Sequence, residues 1–185
     1  MVKRYGQTLC LAALLFGAGA WPAVATAQGS WDACQMLQKA DVEGAFAPRK
    51  FDNGTLAKDV VKRTAKMAES STCTYVSTGA KPQDVFTVLL IARRAPTDAL
   101  SVTPAMARKA AVQINAKAIL VDLPELGPGA HWADMGSKMF PTVELNAFRG
   151  QRVFLTFSGG GMPVGQQAIV AGLTKIAKAT LPRVP

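Results

Sequence analysis

One histidine and three cysteines among 185 residues leave few ways to build a metal centre or a nucleophilic triad from imidazole and thiolate. Lysine and arginine outnumber aspartate and glutamate by 21 to 12, a formal net charge of +9, which favours encounter with anionic partners without defining a site. With 49% hydrophobic and 18% charged residues, the chain has enough apolar material to bury a core without a metal to hold it.

Residues 1–27 carry the three-part pattern of a secretory signal peptide: Lys3 and Arg4, an apolar run over residues 9–20, and Ala25-Thr26-Ala27 ahead of Gln28. As a helix, a run of about a dozen residues spans about 18 Å, short of the roughly 30 Å hydrocarbon core, and Trp21-Pro22 interrupts it. The pattern predicts cleavage after Ala27 and a single mature domain over residues 28–185. That domain is expected in the periplasm or outside the cell and not to span a membrane. Lys3, Arg4 and Cys10 leave with the signal, so the mature net charge is about +7. Two cysteines remain, Cys34 and Cys73. In an oxidising compartment an even pair predicts a disulfide, closing a loop of roughly 40 residues and stabilising the fold by up to about 4 kcal/mol in the chain-entropy model.

In chain order, residues 31–47 predict a helix, with Asp32 as a cap and Met36, Leu37, Ala40 and Val42 as apolar positions. Residues 50–54 (KFDNG) form a turn signal, which also accounts for the Asn53-Gly54-Thr55 sequon. An exposed strand is predicted over residues 60–67, and alternation predicts another over 72–78. Residues 85–92 (VFTVLLIA) form the strongest strand, with an apolar run suited to a central position covered on both faces. Thr103 and Pro104 start a helix as N-cap and first helical residue. Met106, Ala110 and Ile114 supply its apolar face, opposite Arg108, Lys109 and Gln113. A short strand is predicted over 118–122, then a Gly/Pro-rich break through Gly127-Pro128-Gly129. Residues 142–148 and 152–157 read as a hairpin turning at Arg149-Gly150. Residues 163–181 read as the best helix, striped by Ile169, Leu173, Ile176 and Ala177 and ended by Pro182. The sum predicts an α+β domain, a largely antiparallel sheet packed by an N-terminal, a middle and a long C-terminal helix. The strand–helix–strand step over 85–122 adds the option of one parallel pair.

Chemistry-bearing residues are sparse. No G-x-S-x-G elbow and no Cys-x-x-Cys pair occur, so His131 has no evident catalytic partner. His131, Met135 and Met139 recur at four-residue spacing; on a helix they would share a face, and imidazole with thioethers suits Cu(I). Ser158, Gly159, Gly160 and Gly161 follow a strand and precede a helix, where backbone amides can cradle an anion, but the Lys-Ser/Thr of a phosphate loop is missing. With His131 and Trp132 they form the candidate binding surface. Lys58, Lys62, Arg63 and Lys66 form the candidate basic face; no aromatics interleave with it, which argues against sequence-specific nucleic-acid binding.

Several landmarks together resemble a family of small exported bacterial proteins and lipoproteins of unknown function. Residues 34–43 (CQMLQKADVE) resemble its opening C-x-L-L-T-x-A-[DE]-V, Cys73-Thr74-Tyr75 its C-x-Y, and residues 126–132 (LGPGAHW) its G-x-G-D-x-A-x-W turn. Residues 145–155 resemble its closing hairpin. Gln38 and Pro128 depart from the pattern, and a lipid-attachment cysteine is missing. The resemblance implies a disulfide-linked α+β domain and no particular activity.

These readings predict a non-catalytic binding or accessory role in the cell envelope, an inhibitor- or immunity-like one being a specific version, with no cofactor. The partner is an envelope protein or an anionic envelope polymer. The alternatives are a small-ligand or copper carrier using residues 126–139, and an enzyme with an unrecognised site.

Overall fold

The computed structural model describes residues 31–57, 69–79, 81, 84–96, 102–136, 141–161 and 164–185. The signal peptide expected over residues 1–27, the strand predicted over 60–67, the basic cluster Lys58, Lys62, Arg63 and Lys66, and Met139 lie outside the described residues.

Among the described residues, seven strands form one sheet: β1 (Thr55–Ala57), β2 (Glu69–Val76), β3 (Thr87–Arg94), β4 (Leu120–Asp122), β5 (His131–Asp134), β6 (Thr142–Arg149) and β7 (Val153–Gly160). Their order is β1-β2-β3-β7-β6-β5-β4, with every neighbouring pair antiparallel. The chain thus builds one meander, crosses to the far edge, and returns as a second meander that seats β7 beside β3. The crossover carries α3 (Pro104–Ile114), and it leads to the far edge instead of forming the parallel pair that the 85–122 step allowed.

Register sorts the side chains onto two faces. On the first, Cys73 and Tyr75 of β2, Val88, Leu90 and Ala92 of β3, Val143 and Leu145 of β6, and Leu155 and Phe157 of β7 are buried. They pack under α4 (Gln166–Thr180), whose Ile169, Leu173, Ile176 and Ala177 are fully buried. Each fully buried aliphatic contributes about 1.5–3 kcal/mol, so this layer is the core. A Cβ on Gly159 would come within 2.9 Å of Ile169 Cγ2; the missing side chain lets α4 lie close.

The helix predicted over 31–47 is two helices, α1 (Ala33–Met36) and α2 (Lys39–Ala45). Asp32 caps the first through the amides of Cys34 (2.8 Å) and Gln35 (3.3 Å). Leu37 then turns extended, is fully buried, and its carbonyl accepts the Tyr75 hydroxyl at 2.8 Å. A Gln38–Asp41 capping box starts α2. Asp41 also pairs with Arg183 from the C-terminal end. That guanidinium holds the Asp41 carboxyl below its ordinary range.

β3 is central, as expected, but only one of its faces is sealed. Val88, Leu90 and Ala92 are fully buried, whereas Leu89 and Ile91 on the other face are half-buried.

Candidate functional site

The second face of the sheet carries a row of register partners running Thr72, Ile91, Thr156, Asn146, His131 and Asp122 across β2, β3, β7, β6, β5 and β4. α3 lies on this face. Thr103 caps it through the Met106 amide (3.2 Å), and Pro104 at its first turn sits against Gly129. Arg108 pairs with Asp122 of β4, and the Asn115 side-chain amide donates to the Asp134 carbonyl of β5 at 3.2 Å.

α3 docks by its small residues. Ala107 and Ala111 are buried, with Ala107 against the stacked Phe148 and Phe154 rings (centroids 5.0 Å apart). The larger apolar residues stay exposed: Met106 is 54% exposed, Val112 44% and Ile114 72%. The predicted apolar face is thus offset from the docking contact: Met106 and Ala110 line a groove beside Ala107, and the contact itself is made by the alanines. The alanine stripe lets the helix backbone approach the sheet and meet the two phenylalanines.

Between α3 and the uncovered part of the sheet runs a groove of about 440 Å³, with Met106, Ala107 and Ala110 on one wall and Ile91, Thr156 and Glu144 on its floor. Beneath it is a polar ladder. The Thr156 hydroxyl donates to Asn146 Oδ1, and Asn146 Nδ2 donates to Glu144 Oε1, both at 3.0 Å. Asn146 is fully buried, and the ladder gives its amide a partner at each end.

His131 is fully buried beside this ladder. Its Nδ1–H donates to the Gly129 carbonyl at 2.9 Å, which leaves Nε2 as an acceptor. That buried nitrogen has no hydrogen-bond partner among the described residues. Burial pushes the His131 pKa below its ordinary value, outweighing the Gly129 bond, so the ring is neutral.

The structure separates the residues of the candidate binding surface. His131 and Ser158 face α3, whereas Trp132 and Gly159 face the core. Ser158, Gly159 and Gly160 are not a connector but the end of β7, paired with β3 and β6 on either side, so their backbone is used in the sheet. Gly161 has φ +126°, and a Cβ there would lie 2.2 Å from the Val85 carbonyl. The glycines of the segment answer to packing and turn geometry.

His131 begins a strand, not a helix, so the spacing that would gather it with Met135 is absent. The two share a face but stand four residues apart, about 13 Å along extended chain, whereas two ligands of one metal lie within roughly 4 Å of each other. The disulfide is present: Cys34 and Cys73 are joined at 2.00 Å, from α1 to β2. The 126–139 region borders a second hollow of about 520 Å³, formed by the Arg108–Asp122 pair and the backbone of residues 127–130.

Periodicity missed the alanine contact of α3 and the Glu144–Asn146–Thr156 ladder. The ladder is assembled by cross-strand register and has no linear signature.

Compared with protein-family models, curated proteins and solved structures, the chain matches none.

Proposed function

We propose that the chain is an exported, non-catalytic binding or accessory protein of the cell envelope, whose partner is an anionic envelope component. The observation that carries this reading is α3, which docks by Ala107 and Ala111 and leaves Met106, Val112 and Ile114 exposed. A helix whose large aliphatics face solvent, with basic residues among them, is a face prepared for another surface. The Cys34–Cys73 bridge supports an oxidising compartment, and the basic charge supports an anionic partner. An inhibitor- or immunity-like protein is the version of this reading in which the partner is an acidic envelope protein.

The test is retention of the processed, disulfide-bonded chain on purified peptidoglycan sacculi, membranes and periplasmic extract at low and high salt. Salt-sensitive retention on at least one fraction, weakened by Ile114→Asp, is expected. Equal elution from all three refutes the reading.

A second reading, a small-ligand carrier, is favoured by the hollow beside residues 127–130, whose Arg108 and Asp122 offer one charge of each sign. Saturable heat on titrating a native periplasmic small-molecule extract, abolished by Arg108→Ala, is its signature.

A further inference from the structure

The groove between α3 and the sheet is lined by one charge of each sign, Glu144 of β6 and Arg93 of β3. Neither enters an ion pair among the described residues, with the other or with a third group. Both are half-buried, where an unmatched charge costs more than on open surface. Glu144 is also held in place. The buried Asn146 amide donates to its Oε1 and is fixed at its other end by the Thr156 hydroxyl. The Arg93 guanidinium lies 5.6 Å from the centroid of the Phe154 ring, which orients it without neutralising it.

Strand register puts the two charges at diagonal corners of the groove. Arg93 stands opposite Phe154 and Glu144 opposite Ser158, on the two sides of β7. Four residues along the strand and two strand spacings put their Cα atoms about 16 Å apart. Apolar surface lies between them, with Ile91 on the floor and Val102, Met106 and Ala110 on the α3 side.

We infer that this groove binds a small zwitterion with an apolar body, a short peptide whose ammonium meets Glu144 and whose carboxylate meets Arg93. Both side chains reach inward, and an extended tripeptide, about 10 Å long, bridges the remaining span. A carboxylate fixed by buried hydrogen bonds and lacking a cation suits an ammonium. A guanidinium stacked on a ring presents its N–H fork to a carboxylate. A ligand of one charge alone leaves the other corner unmatched, and the aliphatic walls call for an apolar body between the two ends. The floor is a sheet face whose backbone hydrogen bonds are already used in pairing, so recognition falls to the charged corners and the walls. The inference goes beyond the envelope-binding reading and takes a ligand of different size and chemistry.

The experiment is calorimetric titration of the disulfide-bonded chain spanning residues 28–185 with alanyl-leucyl-alanine, its N-acetyl form and its C-terminal amide. Saturable binding of the free tripeptide at about millimolar concentration is expected. Each blocked form should bind roughly tenfold more weakly or worse, as expected for losing a hydrogen bond to a charged group. Glu144→Gln should bind the free and N-acetyl forms alike, and Arg93→Gln the free and amide forms alike. A merely structural role of either residue does not produce that pattern. Ala110→Trp, at an exposed position on the groove wall, should abolish binding by filling the groove. Unchanged urea midpoints verify that the variants fold, and the blocked peptides put the same question to the parent chain. No saturation up to about 10 mM, or equal binding of all three peptides by the parent, overturns the inference. Binding that survives Ala110→Trp but is lost in Arg108→Ala places the ligand in the hollow beside residues 127–130 and overturns the groove. Retention on sacculi or membranes is read separately, so this inference and the envelope-binding reading fail independently.

Discussion

The orientation of α3 makes opposite demands on two neighbouring positions. Ala111 is 3% exposed and Ala107 8%, whereas Ile114 is 72% exposed. Enlarging Ala111 to Leu inserts a branched side chain between helix and sheet, where overpacking costs typically 1–3 kcal/mol. For a domain of this size that corresponds to a Tm fall of about 2–12 °C. Shrinking Ile114 to Ala removes little buried area. Fully burying an isoleucine contributes about 1.5–3 kcal/mol, so the buried quarter accounts for about 0.4–0.8 kcal/mol, and the better helix propensity of alanine offsets a few tenths of it. The expected change is within about 0.5 kcal/mol. Urea unfolding of the two disulfide-bonded variants beside the parent measures both. If Ile114→Ala costs 2–5 kcal/mol, the ordinary cost of truncating a core aliphatic, and Ala111→Leu costs nothing, then α3 docks by the face its periodicity suggested and the reasoning fails.

Three further outcomes are expected. The lowered His131 pKa means that the unfolded chain binds a proton more readily than the folded one. Stability therefore holds above the unfolded pKa of about 6.5 and falls as pH drops below it, by up to about 1.4 kcal/mol per pH unit; His131→Gln should flatten the decline between pH 6.5 and 5, and an unchanged slope counts against the neutral buried ring. Reducing Cys34–Cys73 should lower stability by up to about 4 kcal/mol for its loop length, read as a shift of the urea midpoint with and without dithiothreitol. Among the glycines, Gly44→Ala within α2 meets nothing within 4 Å and should stabilise by about 0.5–1 kcal/mol. Gly161→Ala, with φ +126° and the Val85 carbonyl 2.2 Å from the new Cβ, should destabilise, and thermal melts of the pair test the contrast.

β2 was legible from the alternation around Cys73 and Tyr75, β3 from its near-continuous apolar run, and β6 and β7 as a hairpin turning at Arg149-Gly150. The α4 stripe was legible at helical period. Compartment logic, not periodicity, pointed to the disulfide. β5 was hidden because its four residues, HWAD, sit between Gly129 and Gly136 and acquire strand character only by pairing with Asn146 and its neighbours. The end of β7 was hidden because Gly159 and Gly160 have little strand propensity of their own; close approach of Ile169 and Thr142 selects glycine there. The break between α1 and α2 comes from a tertiary bond, Tyr75 to the Leu37 carbonyl, that no local pattern encodes. α3 misled because periodicity weighs large apolar residues, while the docking contact is made by Ala107 and Ala111.

Amide hydrogen exchange of a chain spanning residues 28–185, with and without anionic envelope membranes, tests most directly whether α3 is where the proposed partner binds. Slowed exchange confined to residues 104–122, with β2, β3 and α4 unchanged, is the expected result. Protection centred elsewhere, or no change on binding, contradicts the account.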